Sequence, residues 1–216
     1  MKFIFPNSRY FLGTRTTKPL SRKFGYDRGT PIDRYYIEKF LSENSKYIKG
    51  KCLEIVDNSY TLKFGKLKVT KSDILDNNPK NKLADIHDDL RNLKSIDSNS
   101  YDCLIVTQTL GMIDDYESAI RECYRILKPG GVLLVTVSSI SPVLDLNYSM
   151  WRFTVTSCKY IFSKYFKSGT LDVKSYGNVL SGQCFWVGMA VEELSKKELD
   201  FNDPNYPCII AVKAIK

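Results

Sequence analysis

The sequence of 216 residues predicts one α/β domain built on a largely parallel sheet. Three observations lead there. Strand-like and helix-like segments alternate from about residue 30 onward. DCLIVT (102–107) and GVLLVTV (131–137) are continuous apolar runs, as expected of strands covered on both faces. Between them lies the clearest helix, Asp115 to Leu127, with Tyr116, Ile120, Cys123 and Leu127 at helical spacing.

In order along the chain, Thr30-Pro31-Ile32-Asp33 reads as a helix start, with a hydroxyl cap, proline at the first helical position and an acid in the first turn. Ile32, Tyr36, Ile37, Phe40 and Leu41 then share one face. Strands are expected at Cys52 to Val56, Leu67 to Thr70, Lys82 to Asp85, Tyr101 to Thr107 and Gly131 to Ser138. Lys128-Pro129-Gly130-Gly131 stops the central helix and turns the chain into the next strand. Beyond residue 141 the pattern weakens. It gives a helix near Thr154 to Phe166, a strand near Leu171 to Ser175, a helix near Gln183 to Leu194 and a last strand at Cys208 to Ala214.

Composition narrows the function classes. With 43% hydrophobic residues the chain can build one well-packed domain, divided here into an N-terminal arm and cap helix (1–49), a cofactor-binding core (50–140) and a substrate-side segment with the last strands (141–216). Its longest apolar run, Gly131 to Val137, is far shorter than the ~20 residues a bilayer requires. MKFIFPNSRY lacks the apolar core of an export signal, so a cytoplasmic location is expected. Six cysteines without a CxxC pair read as structural thiols, and a single histidine, His87, excludes a His-rich metal site; no metal is expected. The net charge of +8 favours anionic partners, yet the lysines are dispersed and carry no nucleic-acid motif, so nucleic acid is not the expected partner.

In an open parallel sheet, ligands bind at the carboxyl ends of the strands. The polar residues there are Glu54 and Asp57 after the first strand, Asp73 after the second, Asp85 after the third and Thr107-Gln108-Thr109 after the fourth. Asp73 lies about twenty residues after Glu54, the spacing at which an acid can accept from both hydroxyls of a ribose. A solvent-exposed turn acid is the other reading. Asp85 could accept from an adenine amino group or cap a helix with Asp88.

YDCLIVTQTLGMIDDYESAIRECYRILKPGGVLLVTV resembles the fourth strand, helix and fifth strand of class I S-adenosylmethionine-dependent methyltransferases. GTPIDRYYIEKFL, CLEIVDNSYTLKFG, WRFT, SYGNVL and ELDFNDPNYPCIIAVKAIK are similar to a glycine-poor branch of that superfamily often associated with surface-polysaccharide biosynthesis. The resemblance covers nearly the whole chain. It implies a Rossmann-like three-layer sandwich with a mostly parallel seven-stranded sheet and an antiparallel C-terminal edge strand. S-adenosylmethionine is the implied cofactor.

In that family the first loop reads acid-x-Gly-x-Gly-x-Gly, because the backbone approaches the cofactor closely at angles glycine tolerates. Here those positions are Glu54, Val56, Asn58 and Tyr60. Asp57-Asn58-Ser59 offers an alternative turn, but Val56 departs from the pattern, since a β-branched residue resists a positive φ.

The resemblance places Glu54, Val56 and Asp57 at the methionine end, Asp73 at the ribose, Asp85 and Ile86 at the adenine, and Thr107 with Gln108 beside the sulfonium. Tyr26, Arg28, Arg34 and Tyr35 could close over the cofactor, Arg28 being the arginine assigned to it. The acceptor wall falls to Trp151, Arg152, Tyr176 and Asn178, with plain core as the other reading of Trp151 and Phe153. No general base stands out; Asp114, Asp115 and Tyr148 are candidates.

The leading expectation is O-methylation of a sugar, nucleotide-sugar or glycan precursor. A catalytically silent scaffold, motivated by Val56, and an RNA methyltransferase, motivated by net charge, are the rivals. A small-molecule or glycan acceptor is the expected partner, and a homodimer is left open.

Overall fold

The computed structural model describes residues 17–143 and 148–216; Arg9 and Arg15 of the N-terminal arm lie outside the described residues. Among the described residues six strands, not the expected seven, form one sheet: β1 (Gly50–Ile55), β2 (Val69–Leu75), β3 (Tyr101–Thr107), β4 (Leu127–Ser138), β5 (Leu171–Tyr176) and β6 (Ile209–Ile215), in the order β2-β1-β3-β4-β6-β5. β1 to β4 run parallel, and β6 is antiparallel to both β4 and β5. The last strand is therefore antiparallel and lies toward that side of the sheet, with β5 outside it.

The two apolar runs form β3 and β4, and alternation sends their side chains to opposite faces. Leu104, Val106, Leu133 and Val135 pack with helices α2 (Tyr116–Ile126) and α3 (Val155–Phe162). Cys103, Ile105, Val132 and Leu134 pack with α1 (Ile32–Glu43), α4 (Val179–Val187) and α5 (Lys196–Asp200). The result is three layers. All six cysteines are free and buried inside them. No helix among the described residues is long and apolar enough to cross a membrane.

Three expectations change. The strand expected at Lys82 to Asp85 does not form: only Ile86 bridges to Leu75 of β2. Asp76, Asn78 and Asn81 accept from the backbone N–H groups of Asn78, Lys80 and Leu83, and these local bonds compete with a ladder. Thr30 does not cap α1, whose first flanking residue is Pro31 with no side-chain cap; it donates its N–H and hydroxyl to Glu192 instead, at 2.9 and 2.7 Å. β2 also begins two residues later than expected and runs to Leu75, which places Asp73 within the strand.

Candidate functional site

Because β1 to β4 are parallel, Ile55, Leu75, Thr107 and Ser138 finish at one edge of the sheet. A cleft runs along that edge in three connected chambers. The first, about 500 Å³, lies between the loops after β1 and β2, with Asp76, Asp88, Asp89, Arg91 and Tyr148 on its walls. The second, about 670 Å³, lies between the β1 loop and the start of α1, with Tyr26, Arg34, Asp57, Tyr60 and Gln108. Ile55, Val56, Thr109 and Met112 line both. The third, about 270 Å³, is ringed by Phe24, Tyr26, Tyr148, Trp151 and Phe185, with Asp33, Arg34 and Arg152. Tyr26, Arg34, Gln108 and Met112 join it to the second.

The β1 loop is held from beneath. The Glu54 carboxylate is 2% exposed and accepts from the backbone of Tyr60 at 3.2 Å and Thr61 at 2.7 Å. Burial pushes its carboxyl up to about 7. Val56 takes a left-handed φ of 74°, so the backbone angle glycine would supply is present with an isopropyl group attached. Its N–H donates to Leu75 at 2.9 Å, and its carbonyl accepts from Asn81 Nδ2 at 2.8 Å. Asp57 forms a turn by accepting from Ser59 N–H at 2.8 Å.

At the end of β3, Gln108 also has a positive φ, 54°. Its Oε1 accepts from Ser138 Oγ at 2.7 Å, while its buried Nε2 has no partner among the described residues.

Of the cofactor residues expected from sequence, Glu54, Val56, Asp57, Thr107 and Gln108 line the cleft. Asp73 does not: it is 3% exposed inside β2, accepting from Tyr101 Oη at 2.8 Å and paired with Lys71 at 2.9 Å and Lys51 at 3.5 Å. Burial opposes its ionisation, yet these partners hold the carboxyl below the usual range. Asp85 accepts from Ile74 N–H at 2.9 Å beside β2, and Ile86 packs against the core, so neither lines a chamber. Arg28 is consumed by an ion pair with Glu193, and Tyr35 donates to Asp200.

On the acceptor side, Trp151 and Arg152 line the third chamber, and Trp151 Nε1 donates to Ile113 at 2.9 Å. Phe153 is core, 5% exposed. Tyr176 and Asn178 are displaced by their structural duties. Tyr176 donates to Glu43 at 2.7 Å between α1 and the sheet, and Asn178 caps α4 while donating to the carbonyls of Glu198 and Phe201. Among the candidate bases, Asp115 caps α2. Asp114 lines the first chamber, held below the usual carboxylate range by the Asp115 N–H and the Arg91 guanidinium at 2.5 Å. Tyr148 borders the first and third chambers.

Two residues escaped the sequence reading. Asp76 is the acid that follows β2, and its signal was available: the apolar pair Ile74-Leu75 immediately before it marks the true strand end. Asp33, half-buried, lines the third chamber from the first turn of α1, where it had the look of a simple helix-start acid. Its Oδ1 accepts from Arg34 N–H at 2.9 Å, and burial raises its carboxyl above the usual range against the pull of Arg34.

Residues 48–135 match the family model described as methyltransferase domain. Curated relatives include the demethylmenaquinone methyltransferase of Staphylococcus epidermidis, 37% identical over 82 residues, which are 38% of this chain and 29% of that protein. The ubiquinone/menaquinone biosynthesis C-methyltransferase UbiE of Pasteurella multocida is 40% identical over 55 residues, 26% of this chain and 20% of that one. The chain thus spans less than a third of these relatives. Solved structures agree over far more of it. An S-adenosylmethionine-dependent methyltransferase from Archaeoglobus fulgidus gives a TM-score of 0.59 at 15% identity, covering 85% of this chain and 94% of that one. A candidate sarcosine dimethylglycine methyltransferase from Galdieria sulphuraria gives 0.60 at 16% identity over 98% of each chain. These similarities show the fold.

Proposed function

We propose that this chain, which has the fold of S-adenosylmethionine-dependent methyltransferases, holds that cofactor across the first two chambers and transfers its methyl group to a compact acceptor in the third. The observation that carries the reading is the continuity of the cleft. Tyr26, Arg34, Gln108 and Met112 border both the second chamber and the third, so a methyl group at that junction faces the acceptor space.

The residues present fit the cofactor. Asp76 accepts from Asn78 N–H and Asn81 Nδ2, leaving lone pairs for two ribose hydroxyls. Arg34 donates to the phenol oxygens of Tyr26 and Tyr60 at 3.0 and 3.1 Å, which leaves guanidinium donors for the methionine carboxylate. The unpartnered Gln108 Nε2 at the floor is a donor awaiting an acceptor.

The bound cofactor supplies an electrophilic methyl group on sulfur. Alignment of the acceptor against it is the main task of the protein in such a displacement. Asp33 is the base we assign: among the described residues it is the carboxylate on the wall of the third chamber, and its raised basicity suits removal of a hydroxyl proton.

Trp151 beside Arg152 supports a sugar unit next to a phosphate as the acceptor, and hence O-methylation of a sugar or glycan precursor. The five aromatic rings around the chamber favour a second reading, a planar ring as the acceptor, in line with the C-methyltransferase named in quinone biosynthesis among the relatives.

Calorimetric titration with S-adenosylmethionine and S-adenosylhomocysteine, using wild type, Asp76→Ala and Arg34→Ala, tests the proposal. Micromolar binding weakened about tenfold or more in each variant is expected. Absence of binding in the wild type would move the weight to a scaffold role. Turnover with methyl-labelled cofactor against nucleotide-sugars and dihydroxybenzoates then separates the two acceptor readings.

A further inference from the structure

We infer that Val56 and Met112 form an apolar throat between the first and second chambers, and that this throat limits how tightly the cofactor binds. The inference rests on the cofactor placement proposed above and adds a residue that controls its affinity. Both side chains line both chambers, and both are half exposed, Val56 at 52% and Met112 at 52%. A molecule spanning the two chambers passes these side chains, together with Ile55 and Thr109, which also line both.

Val56 cannot step aside. Its N–H is bonded to Leu75 of β2 and its carbonyl to Asn81, so the peptide is fixed on both sides. The left-handed φ is one that β-branched residues adopt only under constraint. With the backbone fixed, the isopropyl group stays in the throat. Glycine at this position would leave the backbone path unchanged and remove the obstruction. Met112, by contrast, is unbranched and can adjust, so the opening is set chiefly by Val56.

Two variants separate obstruction from strain. Val56→Gly removes the side chain and relieves the backbone; Met112→Ala widens the throat from the turn after β3 and leaves the Val56 backbone as it is. Binding of S-adenosylmethionine by calorimetry and thermal unfolding are measured for both. Val56→Gly should bind about tenfold more tightly than wild type and unfold at a higher temperature. Met112→Ala should bind more tightly with no gain in unfolding temperature.

If wild type binds and neither variant binds more tightly, the throat is refuted while the cofactor reading survives. If wild type fails to bind but Val56→Gly binds, the throat is upheld in its strongest form. If neither wild type nor Val56→Gly binds, the cofactor reading falls and takes the throat with it.

Discussion

Glu54 accepts two backbone N–H groups while only 2% exposed, and burial lifts its carboxyl from 4.5 to about 7. A carboxyl raised on folding favours the protonated native state. Its contribution is complete below the unfolded value of 4.5 and lost as pH rises through about 7. Between pH 5 and 8 the wild type should lose about 1–3 kcal/mol relative to Glu54→Gln, read as a difference in unfolding temperature across that range. Asp33 is predicted to act on chemistry rather than binding. Asp33→Asn should lower kcat by about 100-fold or more and leave cofactor affinity unchanged. Some of this was legible beforehand. Glu54, Val56 and Asp57 could be placed because they close or directly follow the apolar strand β1. Tyr176 and Asn178 could not, because a phenol hydroxyl and an amide serve a core bond or a helix cap as readily as a ligand, and only tertiary position decides between them.

At the level of elements, the legible ones carry their own periodicity. α2 shows four buried positions on one face, and β3 and β4 each carry a continuous buried apolar run, 103–106 and 132–135. β2 is an edge strand, paired on one side by β1 alone, and its middle, Thr70 to Ser72, is polar and partly exposed, so the pattern ends the expected strand at Thr70. That misplacement put the expected ribose acid at Asp73, inside the strand, whereas the acid that follows the strand and lines the cleft is Asp76. The segment from Leu20 to Pro31, which contributes Tyr26 to the cleft, is fastened by long-range bonds that no local pattern reveals. Arg28 pairs with Glu193, Thr30 with Glu192, and Leu20 N–H with the Val187 carbonyl at 2.7 Å. The Glu192→Ala/Glu193→Ala double variant should therefore make this segment more sensitive to limited proteolysis and weaken cofactor binding, with little change in unfolding temperature, since exposed ion pairs contribute little to global stability.

Across the whole molecule, charge is unevenly placed. Lys51, Lys71 and Lys128 sit near the amino ends of the parallel strands, whereas Asp57, Asp76, Asp88, Asp89 and Asp114 line the cleft at the carboxyl ends. The five aspartates stand against Arg34, Arg91 and Arg152 in the cleft, so it offers no net positive charge to a nucleic-acid backbone. A single-stranded RNA oligonucleotide should bind weakly at physiological salt, lose affinity steeply as salt rises, and fail to compete with S-adenosylmethionine. The three-layer architecture encloses all six thiols, four of them, Cys52, Cys103, Cys158 and Cys208, completely. Their burial gives the chain an internal clock. Ellman's reagent should be inert toward the native protein and should consume six equivalents once it unfolds, so the colour appears at the rate of opening. A bound cofactor that stabilises the native state would delay all six thiols together.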